Sequence, residues 1–171
     1  MISTSNRRIA LVAMFILALD QFTKQLVNRL LPLDDERVII PGFFKFVHWS
    51  NTGAAWSLFT GNNGLLAIIA VVALFILYRS RHHFEAHTWT GQLALGLIFG
   101  GIVGNLTDRL LFHHVTDFLY FYLQRRSRGG TDIGFPAFNI ADSAICIGVG
   151  LIFILSWKNE KTPARPVQPP A

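Results

Sequence analysis

Four apolar segments, at about residues 9–31, 56–78, 93–111 and 135–157, constrain this chain more than any other feature. Each is long enough to cross a bilayer, which takes roughly 20 mostly apolar residues. In lipid an open-ended segment satisfies its own backbone only as a helix, so four membrane-spanning helices are expected. These spans leave little of the 171 residues for a separate soluble core. A single polytopic membrane domain over residues 1–157 follows, with a proline-bearing tail, 158–171, expected to be disordered and cytoplasmic. Composition agrees: charged residues make up 15% of the chain, against about 25% in soluble domains. The lone Cys146 excludes an internal disulfide. A net charge of +5 suits anionic lipid head groups better than nucleic acid.

The first segment has the basic start and short apolar run of a cleaved signal peptide. No small-x-small site follows it, however, and Asp20 and Lys24 suit a site better than a cleavage junction, so it reads as a retained helix. Between the first two spans, Val38–Trp49 alternates loosely and is rich in Phe, Val and Trp. That predicts one or two short strands at the membrane surface, broken at Pro41-Gly42. The stretch 78–88 reads as a short polar turn and 124–134 as a flexible basic loop. Basic residues number evenly on the two sides, but those beside the termini and the 78–88 turn are packed into shorter segments. Both termini are therefore expected in the cytoplasm.

Ionisable groups beside a span are costly, and each asks for an account. With four spans, Asp20, Lys24, Asn51, Asn105, Asp108, Arg109, Asp117, Asn139 and Asp142 all fall at one end of the bundle, whichever way the protein is inserted. Asp117 (in HVTDFL) and Asp142 (in FNIADSA) flank one loop. Two carboxylates that approach closely cannot both ionise readily; the ionised one can activate water while the protonated one polarises a peptide carbonyl. Alone, either Asp would read as a helix cap, but the surrounding Asn and Arg residues favour a site. Asp20 and Lys24, four apart, share a helix face, and Asp108 with Arg109 reads as an ion pair; both pairs are expected to be supports. Gly96, Gly100 and Gly104 predict a close-packing face.

Other features carry less. His83 and His87 in HHFEAH have zinc-helix spacing, but Glu85 is misplaced and the run lies at the opposite end from the aspartates. His113 and His114 read as interfacial polar residues. Ser143 lacks a nucleophile-elbow setting, Cys146 reads as a buried, inert thiol, and the Asn105 sequon falls in a span. A transporter or proton channel would need a polar path at both ends, and the other end offers no matching cluster. A purely structural subunit leaves the converging Asn and Asp residues unexplained.

Five runs together, DQFTK (20–24), SNTGAAWS (50–57), GNLTDR (104–109), VTDF (115–118) and FNIADSAI (138–145), resemble bacterial type II (lipoprotein) signal peptidases in order and spacing. The resemblance covers residues 9–157; Trp56 stands where that family usually has Phe, and the link between the aspartates is longer. It implies an aspartyl endopeptidase with four helices and a small β cradle on the outer face. The dyad maps to Asp117 and Asp142, and the supporting residues to Asp20, Lys24, Asn51, Gly53, Asn105, Asp108, Arg109, Asn139 and Ala141. The implied substrates are diacylglyceryl-modified prolipoproteins, cut just before the lipid-bearing cysteine in a bacterial inner membrane. No metal or organic cofactor is implied. Expected partners are the lipidated signal peptides and membrane lipids, with the enzyme a monomer and no nucleic acid involved.

Overall fold

The computed structural model of the protein describes residues 4–53, 59, 61–84, 86–123 and 133–160. Helix α1 (Thr4–Leu30) leads into strands β1 (Glu36–Ile40) and β2 (Phe44–Asn51). Helices α2 (Asn63–Ser80) and α3 (Trp89–Phe112) follow, joined through a 3-10 turn at Arg81–His83. Strands β3 (Val115–Leu123) and β4 (Ile133–Gly134) then precede α4 (Ile140–Glu160). At ~1.5 Å per residue the helices match or exceed a hydrocarbon core of roughly 30 Å within a few ångströms. All four are apolar enough to span it. The architecture is that of a four-helix membrane protein carrying one small antiparallel sheet.

Helix α3 is the axis, with α1 and α4 packed along it and α2 touching it over less surface. Lipid-facing positions such as Phe15, Phe75 and Phe153 are exposed, as is Cys146, which was expected to be buried, whereas Asp20, Lys24, Asn105, Asp108 and Asn139 are buried. Such an inside-out distribution suits a solvent of acyl chains. The glycine stripe on α3 meets α1 closely. A Cβ on Gly96 would lie 2.5 Å from the Val12 Cβ, one on Gly100 2.7 Å from the Ala13 carbonyl oxygen, and one on Gly104 2.7 Å from Asp20 Oδ2. On the opposite side a Cβ at Gly101 would collide with the Ala141 carbonyl of α4.

The sheet order is β1-β2-β3-β4, antiparallel throughout. Between the first spans, where one or two strands are expected, there are two. The nine-residue β3 is a finding: VTDFLYFYL, for which no strand is predicted, pairs with β2 from Phe44 to Asn51. A bulge between Phe46 and Trp49 inserts one residue into β2, so neighbouring Val47 and His48 are both buried.

Helices α1 and α3 start at Thr4 and Trp89 rather than near 9 and 93, and three further boundaries move. The second helix starts at Asn63 rather than near 56, and residues 54–58 lie outside the described set. The fourth starts at Ile140 rather than 135, because the chain ahead of it stays with the sheet. Phe135 N–H donates to Phe121 C=O at 2.9 Å, and Phe138 N–H to Leu119 C=O at 3.1 Å. Pro136 has no N–H for a helix and disfavours helical geometry at Phe135. At its far end α4 runs to Glu160, so 158–160 are helical, not the start of a disordered tail. The remaining tail, 161–171, and the basic loop at 124–132 lie outside the described residues.

Gly100→Val should force α1 off α3, an overpacking cost of about 1–3 kcal/mol read as a lower Tm in detergent. Gly150→Ala, where a Cβ would meet nothing within 4 Å, should leave Tm unchanged or raise it slightly.

Candidate active site

Starting from α1, Lys24 is 2% exposed and its ammonium has three donors. They meet Asp20 Oδ2 at 2.8 Å, Asp108 Oδ2 at 2.8 Å and Asn105 Oδ1 at 2.9 Å. Asp20 and Lys24 sit one turn apart as their spacing predicts, and Asp20 Oδ1 also accepts from the Ala141 backbone N–H at 2.9 Å, tying α1 to the first turn of α4. The expected Asp108–Arg109 pair does not form. Successive helix residues point about 100° apart. Asp108 therefore faces α1, while Arg109 turns away and donates to the carbonyls of Asn105 (3.3 Å) and Gly53 (3.2 Å).

Asp117 lies on β3 opposite Trp49, and Asn51 sits diagonal to it on the same face of the sheet. Asn51 Nδ2 donates to Asp117 Oδ2 at 2.8 Å, and Asn139 Nδ2 donates to Asp117 Oδ1 at 2.9 Å. Across from it, Asp142 belongs to the first turn of α4, with Asn139 at its N-cap. Asp142 N–H donates to Asn139 Oδ1 at 3.0 Å, and Asn139 N–H returns a bond to Asp142 Oδ2 at 3.2 Å. This reciprocal pair is a capping box with Asn and Asp in place of Ser and Glu. The other oxygen, Asp142 Oδ1, accepts from Asn105 Nδ2 at 2.7 Å.

All four carboxylate oxygens of the two aspartates thus receive a donor. The amide orientations follow from the other end of each side chain. Asn105 Oδ1 is held by the Lys24 ammonium, Asn139 Oδ1 by a backbone N–H, and Asn51 Oδ1 by the Gly53 N–H at 2.9 Å. An oxygen pinned by an unambiguous donor leaves the NH₂ to face the aspartates. Burial, with the Asp142 carboxylate beside it, pushes the Asp117 carboxyl up to about 7, against the opposing hydrogen bonds from Asn51 and Asn139.

Every expected site residue is therefore placed at this one end: Asp20, Lys24, Asn51, Gly53, Asn105, Asp108, Arg109, Asp117, Asn139 and Ala141 with Asp142. Three contributors were missed. Gln21 Nε2 donates to Asp108 Oδ1 at 2.8 Å, Thr116 N–H donates to Asp108 Oδ2 at 3.4 Å, and Asn63 Nδ2 donates to the Arg109 carbonyl at 2.9 Å. Gln21 stands inside DQFTK but off the Asp20–Lys24 stripe; Thr116 gives, and Asn63 meets, a backbone group, and such pairings leave no mark in a sequence. Trp56 lies outside the described residues.

The profile described as Signal peptidase (SPase) II matches residues 12–158. The chain belongs to the signal peptidase II family. It is a membrane peptidase of that family. A lipoprotein signal peptidase of Symbiobacterium thermophilum is 41% identical over 146 residues, covering 84% of this chain and 90% of the relative. One from Syntrophotalea carbinolica is 35% identical over 159 residues, covering 90% and 92%. A bacterial membrane enzyme solved by the in meso method at 2.3 Å superposes with TM-score 0.77 and 33% identity, covering 94% of both chains.

Lys24→Met would strand Asp20 and Asp108 in the interior, a loss of about 3–5 kcal/mol that thermal unfolding in detergent should register. Asp108→Asn should also lower Tm, since Lys24 and Gln21 lose a charged partner. The residual activity should keep the wild-type shape of its pH profile, because Asp108 is separate from the two facing aspartates.

Proposed function

We propose that the protein removes signal peptides from diacylglyceryl-modified prolipoproteins, cutting before the lipid-bearing cysteine with Asp117 and Asp142 as an aspartyl dyad. One observation carries the reading. Asn139 donates to both carboxylates, through its side chain to Asp117 and its backbone to Asp142, and so holds two acids side by side where repulsion favours one shared proton. In such a pair the protonated carboxyl polarises the scissile carbonyl while the ionised one takes a proton from water. The hydroxyl adds to carbon, and collapse of the tetrahedral species passes a proton to the leaving nitrogen.

Location supports the same reading. The two aspartates lie where α3, the sheet and α4 meet, at the end of the bundle opposite both termini. With the termini in the cytoplasm, by the packing of Arg7, Arg8, Arg79 and Arg81 into short segments, the dyad stands near the outer face. A lipidated precursor presents its cut site at that depth. Asp20, Lys24, Gly53, Asn105, Asp108, Arg109 and Ala141 act as supports, and the substrate's acyl chains remain in lipid or against the apolar helix faces.

Asp117→Asn and Asp142→Asn should each abolish cleavage of a purified lipidated precursor while leaving the protein folded; near-native turnover by either removes that residue from the dyad. The Asp117 proton, held to about pH 7, also has a stability consequence. The folded state binds it more tightly than the unfolded chain, so stability should fall as pH rises from about 4 to about 7 and then level off. Asp117→Asn should flatten that slope in thermal unfolding measured across the same range.

A further inference from the structure

The dyad's two carboxyls are held in unequal surroundings, and that inequality bears on which of them carries the shared proton. Asp142 sits in the first turn of α4, where the helix dipole favours a negative charge, and one of its two donors is a backbone N–H. Its other donor, Asn105, is the amide whose oxygen is fixed by the Lys24 ammonium. Asp142 is also half-buried.

Asp117 differs on each count. It lies on a strand, which has almost no dipole. It is 4% exposed, and both of its donors are neutral side-chain amides. The other charged groups of the site are accounted for: Asp20 on α1 and Asp108 on α3 are each paired to Lys24, and neither β2 nor β3 places a second charged group against Asp117 among the bonds of the described residues.

From this geometry we infer that the two aspartates have fixed and different roles: Asp142 is the ionised member that takes the proton from the attacking water, and Asp117 is the protonated member that donates to the scissile carbonyl. The inference rests on the dyad reading above and adds a direction to it. The attacking water's proton goes to Asp142, and its oxygen bonds to the carbonyl carbon. The Asp117 proton moves to the carbonyl oxygen in the same step. On collapse, the C–N bond breaks, Asp142 delivers its proton to the departing nitrogen, and Asp117 recovers its own.

Two of the three asparagines make the assignment testable, because Asn51 bonds only Asp117 and Asn105 bonds only Asp142 within the dyad. Each stabilises the ionised form of its partner. Loss of Asn105 therefore makes Asp142 harder to ionise, and Asn105→Ala should move the acidic limb of the kcat/KM profile to higher pH. Loss of Asn51 makes Asp117 hold its proton longer, and Asn51→Ala should move the alkaline limb to higher pH. Each shift should be roughly one pH unit, the size of one hydrogen bond to a charged group, with the opposite limb left in place. The experiment is a pH–rate series with a lipidated precursor on wild type and both variants. The opposite pattern, with Asn51→Ala moving the acidic limb, overturns the assignment, as does movement of both limbs or of neither in both variants.

Should either variant unfold or lose all turnover, infrared difference spectra of folded Asp117→Asn and Asp142→Asn between pH 5 and 6 give the same answer. The protonated-carboxyl band should vanish with Asp117→Asn and persist with Asp142→Asn. Loss with Asp142→Asn, or equal loss with both, overturns the roles. Retention of cleavage by Asp117→Asn or Asp142→Asn is a different failure, that of the dyad itself.

Discussion

The buried ammonium of Lys24 is the point to which the rest of the site refers. An unpaired cation at this depth would be expensive, and a single carboxylate would leave two of its protons unmet. Here all three protons find acceptors on two helices, Asp20 from its own α1 and Asp108 and Asn105 from α3. The two carboxylates in turn recruit donors from elsewhere. Asp20 takes the Ala141 N–H of α4, and Asp108 takes Gln21 from α1 and the Thr116 N–H of β3. One lysine therefore sets the relative position of α1, α3, α4 and the strand that carries Asp117. Each added bond satisfies a group whose isolation would cost more than the bond itself contributes.

That network needs α1 and α3 close together, and the glycine stripe is what permits it. At Gly104 a Cβ would stand 2.7 Å from Asp20 Oδ2, so a larger residue there would displace the carboxylate that Lys24 binds. In lipid there is no hydrophobic drive to press two helices together, and close packing with interhelical polar bonds supplies the association instead. Packing and charge satisfaction are thus one device here. The stripe brings the backbones near, and the polar cluster at its Gly104 end fixes their register.

Much of this was legible beforehand, for physical reasons that differ by element. The four helices follow from uninterrupted apolar length, and the convergence of Asp20, Lys24, Asn105, Asp117 and Asp142 follows from parity alone. The Gly96–Gly100–Gly104 face was readable because small residues four apart define one side of a helix. What failed did so where backbone geometry decides. Asp108 and Arg109 are adjacent in sequence and opposite in charge, yet the helix turns them to different partners. Strand β3 went unrecognised because its outline, an apolar and aromatic run after a helix, becomes a strand only through pairing with β2. The start of α4 was set too early because Phe135–Phe138 is apolar enough for a span, while Pro136 and the bonds to β3 keep it extended.

For the dyad proposed above, the asparagines supply a reason why the site would be specific about protons. Three amides, each anchored at its oxygen, present only N–H groups to the two carboxyls, so no acceptor competes for the shared proton. A field of fixed donors needs no rearrangement as charge moves from water to carboxylate, which is the condition under which preorganised dipoles lower a barrier. Anchoring is what separates this from a loose cluster of polar side chains. Were Asn105 free to rotate, its oxygen could face Asp142 and compete for the dyad's proton; the Lys24 ammonium forbids that flip. The cation buried on the far side of the amide thus fixes which atom of Asn105 meets Asp142 without itself bonding Asp117 or Asp142.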